Sequence, residues 1–190
     1  MSFTLDLYKS AEYYNTVYVL KKEIVEPRIF TYIKNLLRPY DDVVDIGAGP
    51  GNMLKALLSF PLKYYTAIDF SPIALQRIEK ICTPFHVETR CIDIETLTKP
   101  VPHMSSHSIY ICTNIFEHLL HPEHIFQYFP IKTVLFSCPD FPAKAHVRYF
   151  ETMDTVTAFF KKYGFTITTH DTIRRKTQIW YVGRAECSTF

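Results

Sequence analysis

The stretch Val43–Asn52, VVDIGAGPGN, decides how this chain is read. An apolar run of strand character carries an acid, Asp45, near its end, and three glycines (Gly47, Gly49, Gly51) follow in alternation with other residues. Glycines in a strand-to-helix turn accept positive φ and let the backbone approach a ligand closely. The first N–H groups of the helix that follows have no partner within it and can meet an anion. The loop therefore reads as one wall of a nucleotide-like site.

Outward from the loop, short apolar runs alternate with segments of helical period. Strand candidates are DVVDIG, YYTAIDF, FHVETRCID, SIYICTN, KTVLFSC, FTITTHD and QIWYVGR, rich in β-branched and aromatic residues. Ile29, Ile33 and Leu36 share a helix face after Pro27. Ser71 reads as an N-cap with Pro72 at the first helical position, and Leu75, Ile78 and Cys82 line one side. Val156, Phe159, Phe160 and Tyr163 share a face on a helix that Gly164 stops. The alternation predicts an α/β, doubly wound, mostly parallel seven-stranded sheet. THDTIRRKT, too short for a crossover helix, separates the last two strands, which predicts an antiparallel C-terminal hairpin.

In such a sheet the ligand crevice lies beyond the carboxyl ends of the strands, where the strand order reverses. A Walker-type loop needs Gly-Lys-Ser/Thr, and Gly51 is followed by Asn52 and Met53. A dinucleotide fingerprint needs its third glycine at position 52. Asp45 would repel a pyrophosphate but suits a ligand with positive charges, such as an ammonium and a sulfonium.

The pattern D-x-G-x-G-x-G resembles the first motif of the class I S-adenosylmethionine-dependent methyltransferases, and the likeness continues in register. AIDFSPIAL resembles the end of that family's second strand, CIDIET its third-strand motif, and SIYICTNIFEHLLHP its fourth motif. HVRYFETMDTVTAFFKKYGF resembles its penultimate helix. The resemblance implies a Rossmann-like methyltransferase fold over residues 41–190. Within residues 1–40 the tyrosine-rich YKSAEYYNTVYVLKKEIVEP reads as a helical flap integral to the domain that covers the site and excludes water, and packing on the sheet edge accounts for it equally. The resemblance also implies S-adenosylmethionine as cofactor, held by Asp45, Gly47, Ala48, Gly49, Asp69, Phe70, Asp93, Ile94 and Asn114. Asp69 would take the ribose hydroxyls, Phe70 would lie against the adenine, and Asp93 would receive the adenine amino group with the Ile94 backbone at the ring edge. Ordinary packing accounts for Phe70 equally well; for Asp93 a solvated loop acid is the weaker alternative.

His118 and Glu117 are the candidate catalytic residues. Methyl transfer from a sulfonium needs in-line alignment, and a hydroxyl acceptor also gains from a general base of imidazole type. The same two residues could instead pin the helix that follows. The metal-dependent small-RNA 2′-O-methyltransferases place ligands as E-x-x-E-H plus a distant histidine. Here Asn114 replaces the first glutamate, Glu117 and His118 are kept, and His146 stands further on. Loss of a hard oxygen donor weakens a magnesium site, so no metal is expected.

The 190 residues carry 47% hydrophobic and 21% charged side chains and a formal charge of +2, too slight a basic excess to favour nucleic acid or membranes. Arg174, Arg175 and Lys176 at the hairpin tip read as a solvated turn. No apolar run reaches the roughly 20 residues of a membrane span, and MSFTLDLYKSAEYY lacks the features of a secretory signal. Five cysteines without a C-x-x-C pair, three of them in strand-like runs, read as reduced, buried thiols of a cytoplasmic protein. The expectation is an S-adenosylmethionine-dependent methyltransferase acting on a small-molecule acceptor. The alternatives are a metal-assisted RNA 2′-O-methyltransferase and a non-catalytic member of the same fold.

Overall fold

The computed structural model describes residues 13–16 and 26–188. Most of the segment read as a flap, residues 1–12 and 17–25, lies outside the described residues. Residues 13–16 form a helical turn. The chain then runs α1 (Pro27–Asn35), β1 (Asp42–Ile46), α2 (Asn52–Leu57), β2 (Tyr64–Asp69), α3 (Pro72–Glu79) and β3 (His86–Cys91). A 3-10 turn (Ile94–Thr96) leads to β4 (Ile109–Thr113), α4 (Glu123–Tyr128), β5 (Thr133–Pro139), α5 (Met153–Lys162), β6 (Phe165–Arg175) and β7 (Gln178–Cys187).

The seven strands form one sheet in the order β3-β2-β1-β4-β5-β7-β6. The first five are parallel, and β7 runs antiparallel between β5 and β6. All seven strand expectations and the C-terminal hairpin hold. The order reverses at β1, whose neighbours are β2 and β4, so the crevice opens above Asp45 and the glycine loop.

Alternation along β1 sends Val43 to one face of the sheet and Val44 and Ile46 to the other. On the first face Ile29 and Ile33 of α1, Leu54 and Leu57 of α2, and Leu75 and Ile78 of α3 pack over Val43, Tyr65 and Ile111. On the second, Ile125, Val156 and Phe160 of α4 and α5 pack over Ile46, Tyr110 and Phe136. β5 is buried on both faces, as the apolar run Val134–Phe136 suits. Ser71 caps α3 by accepting the Ala74 N–H, with Pro72 in the first turn. Thr152 and Thr155 cap α5 reciprocally, and Gly164 ends its last turn at φ +80°.

Three expectations are corrected. THDTIRRKT is mostly strand: β6 continues to Arg175, and only Lys176 and Thr177 turn, with Lys176 in the left-handed region that a two-residue hairpin demands. Cys82 lies beyond the end of α3 and is exposed, because the helix closes at Glu79. Cys91 is exposed on the edge strand β3, whereas Cys112 and Cys138, in central strands, are buried as expected.

Candidate functional site

A cavity of about 260 Å³ opens at the carboxyl ends of β1, β2 and β4. Asp45, Gly47, Ala48, Gly49, Asp69, Phe70, Asp93, Ile94, Asn114 and His118 all line it. Every expected cofactor contact and one of the two catalytic candidates are thus brought to one space. Glu117 stands behind the wall rather than in it.

The glycine loop is shaped by close approach. Gly47 has φ +76°, and a Cβ there would meet Ile115 Cδ1 at 2.5 Å and Ile115 Cβ at 3.2 Å. The N–H groups of Gly47 and Ala48 bond to the Ile68 carbonyl, lashing the loop to the end of β2. Asp69 completes that tie: one carboxylate oxygen accepts from the Gly49 N–H at 2.9 Å, the other from the Ser71 N–H at 2.8 Å. Asp69 also lines the cavity. Burial raises its pKa, and the backbone N–H groups oppose that rise.

Asp45 is 1% exposed, and the Tyr65 hydroxyl donates to its Oδ2. Oδ1 is buried and has no hydrogen-bond partner among the described residues. Burial pushes the carboxyl up to about 7; the Tyr65 hydrogen bond opposes this, and nearby Asp69 adds to it. A buried orphan oxygen on a cavity wall is a vacancy for a donor, and a charged donor satisfies it best.

At the end of the cavity beyond β3, Asp93 accepts the Glu95 N–H at 2.9 Å and so caps the 3-10 turn, while Ile94 is buried at the wall. Glu95 also lines the cavity, and its carboxylate accepts the Leu120 and His121 N–H groups, tying this turn to the chain before α4. At the other end Asn114 takes φ +51°, a conformation asparagine tolerates better than most residues. Ser137 of β5 fixes it, accepting its N–H at 3.0 Å and donating to its side-chain oxygen at 3.1 Å.

His118 Nδ1 lies 3.1 Å from the Ala145 carbonyl and 3.0 Å from the Tyr14 hydroxyl. A carbonyl only accepts, so Nδ1 carries the proton and Nε2 keeps its lone pair. Burial pushes this imidazole down to about 4, which leaves it neutral at pH 7. Glu117 is 1% exposed, burial pushes its carboxyl up to about 8, and Oε2 has no partner among the described residues. Its Oε1 lies 3.9 Å from His118 Nε2. The His146 ring stands 4.9 Å from that of His118, centroid to centroid. One ligand atom from each of Glu117, His118 and His146 lies within 4.8 Å of the other two.

Tyr14, Ser137 and Glu95 were not singled out from sequence. The tyrosine-rich N-terminus was a signal for the first. Ser137 and Glu95 act through partners more than twenty residues away, and spacing does not reveal those.

Residues 43–130 match the methyltransferase domain family. The strand order and the position of the crevice are those of the class I S-adenosylmethionine-dependent methyltransferase fold. Among solved structures it is similar to the magnesium protoporphyrin IX methyltransferase of Synechocystis PCC 6803 with bound S-adenosylmethionine. That match has 14% identity and a TM-score of 0.66, over 98% of this chain and 96% of that one. It is similar also to the 1,6-didemethyltoxoflavin-N1-methyltransferase of Burkholderia thailandensis, bound to 1,6-didemethyltoxoflavin and S-adenosylhomocysteine (14% identity, TM-score 0.67, 92% and 85% covered). The [4+2]-cyclase SpnF matches too (10% identity, TM-score 0.67, 86% and 82% covered). No curated protein sequence matches the chain. Among the described residues no helix is long and apolar enough to cross a membrane.

Proposed function

We propose that this chain transfers the methyl group of S-adenosylmethionine to a small-molecule acceptor. The observation that carries the reading is the orphaned Asp45 oxygen on the wall of a cavity formed around the glycine loop. The cavity wall holds Asp45, Asp69, Asp93 and Glu95 and, among the described residues, no lysine or arginine. That donor set fits a cationic amino-acid nucleoside and opposes a pyrophosphate.

Asp45 would hold the ammonium, Asp69 the ribose, and Asp93 and Ile94 the adenine, with Phe70 against the ring. The loop Gly47-Ala48-Gly49 and Asn114 would flank the methionyl part. When bound, S-adenosylmethionine supplies an electrophilic methyl group on sulfur and leaves as a neutral thioether. The chain's own share is alignment, exclusion of water, and acceptance of the acceptor's proton. His118 suits the last task, because its imidazole is neutral at pH 7 and its Nδ1–H form leaves the lone pair on Nε2.

Calorimetry with S-adenosylhomocysteine and NAD tests the cofactor; binding of NAD alone would overturn the assignment. Methyl incorporation from labelled S-adenosylmethionine into a panel of small hydroxy and amino compounds tests the reaction. His118→Ala should lower turnover on a hydroxyl acceptor 10²-fold or more on the scale of general base catalysis. Tight cofactor binding with no methylation of any acceptor would point instead to a non-catalytic role, a fate compatible with a fold that also serves a cyclase.

A second reading has its own observation. His118 and His146 both direct Nδ1 at backbone carbonyls, of Ala145 and Phe141, which leaves both Nε2 atoms as ligands beside the orphaned Glu117 carboxylate. Outer-shell carbonyls orient metal-bound histidines in the same way. Two imidazoles and one carboxylate suit manganese, iron or zinc better than magnesium. In this reading the acceptor is an RNA 2′-hydroxyl. It requires that chelators and His146→Ala abolish activity and that manganese restore it to the chelated protein.

A further inference from the structure

From the position of Tyr14 we infer that it is a positioning residue, which ties the nucleoside end of the cavity to the acceptor end and holds the His118 ring in its working tautomer. The inference rests on the methyltransferase reading of the cavity. Phe70 follows β2 and His118 follows β4, strands separated in the sheet by β1. With strands about 4.8 Å apart, these two loops stand roughly 10 Å from each other across the tip of β1. Tyr14 spans them. Its ring meets Phe70 edge to face at 5.4 Å between centroids and His118 likewise at 5.8 Å. Its hydroxyl reaches His118 Nδ1 at 3.0 Å. The neighbouring Asn15 side chain accepts from the Ser71 hydroxyl, so the same short turn is fastened at the head of α3. Tyr14 itself lines the cavity.

The chemistry on the Nδ1 side of His118 gives the hydroxyl its task. Ala145 supplies one acceptor and Tyr14 supplies the second. Together they favour the Nδ1–H form and leave Nε2 as the basic nitrogen. Burial holds the Tyr14 phenol well above its ordinary range, so the group is a neutral hydroxyl and neither competes for a proton nor repels the cofactor's carboxylate. Removal of the oxygen alone should loosen the imidazole and leave the cofactor's apolar contacts intact. Removal of the whole ring should damage both ends.

The test uses the full chain with ¹⁵N-labelled histidine, whose ring signals report the tautomer directly, with and without S-adenosylhomocysteine. His118→Gln assigns the His118 signals. In the wild type the Nδ1–H form should dominate. In Tyr14→Phe its ratio to the Nε2–H form should fall about fivefold, the scale of one lost hydrogen bond, while affinity for S-adenosylhomocysteine stays within twofold. In Tyr14→Leu that affinity should drop as well, by about tenfold. Unchanged His118 signals in Tyr14→Phe would overturn the inference, as would equal losses of affinity in the two variants. A wild type that fails to bind S-adenosylhomocysteine sinks the methyltransferase reading instead, and the tautomer comparison in the free protein still decides the role of Tyr14. Unchanged signals from the other histidines guard against a general loss of fold.

Discussion

Asp45 shows how one buried carboxyl can set opposing demands on a fold and its ligand. Its pKa stands at about 7 in the folded chain, against an ordinary 3.8, chiefly because of burial. Between those values the folded state holds a proton that the unfolded state has released. This contribution to stability is therefore complete below about pH 4 and is lost as pH rises through 7. A cationic ligand needs the ionised form. Affinity for S-adenosylhomocysteine should accordingly rise as pH goes from 6 to 8, by up to about tenfold per unit below 7, and then level off. Asp45→Asn should bind more weakly and flatten the profile. A slope that survives in Asp45→Asn, measured by calorimetry across that range, would show that another group is responsible.

Among the elements, the turn from β1 to α2 is the most constrained. Gly47 combines a left-handed φ with a side-chain position already filled by Ile115. Gly47→Ala would force the loop away from the segment after β4, the same segment that carries Asn114 and His118. We expect about 2 kcal/mol of destabilisation from strain and overpacking and a loss of cofactor affinity of tenfold or more, read by urea unfolding and calorimetry. A variant with wild-type stability and affinity would mean that the loop is not held as described. Elsewhere, local rules and final structure agree: the caps at Ser71 and Thr152 and the stop at Gly164 are each readable within four residues of chain.

For the whole molecule, the site is a meeting of four loops on one edge of a sheet, so ligand binding should stabilise the entire domain. At a hundredfold excess over its dissociation constant, S-adenosylhomocysteine should add about 2.7 kcal/mol by mass action. In thermal unfolding that corresponds to a rise of roughly 5–10 °C for a domain of this size. NAD at the same concentration should leave the midpoint unchanged; an equal rise with NAD would contradict the cofactor assignment.

The sequence by itself determined the strand–helix alternation, the caps, the glycine loop and the acids at the strand ends, because each depends on residues close together in the chain. Periodicity and turn chemistry act at that range. It also placed Asp45, Asp69, Asp93 and Asn114 around one cavity, since strand ends in a parallel sheet share one edge. Tertiary structure alone decided which oxygens are left without partners, that Glu117 stands behind the wall, and that His146 and Tyr14 close on His118 from opposite directions along the chain. Those facts depend on burial and on contacts between segments up to about a hundred residues apart. The folded geometry fixes them, and no local pattern encodes them.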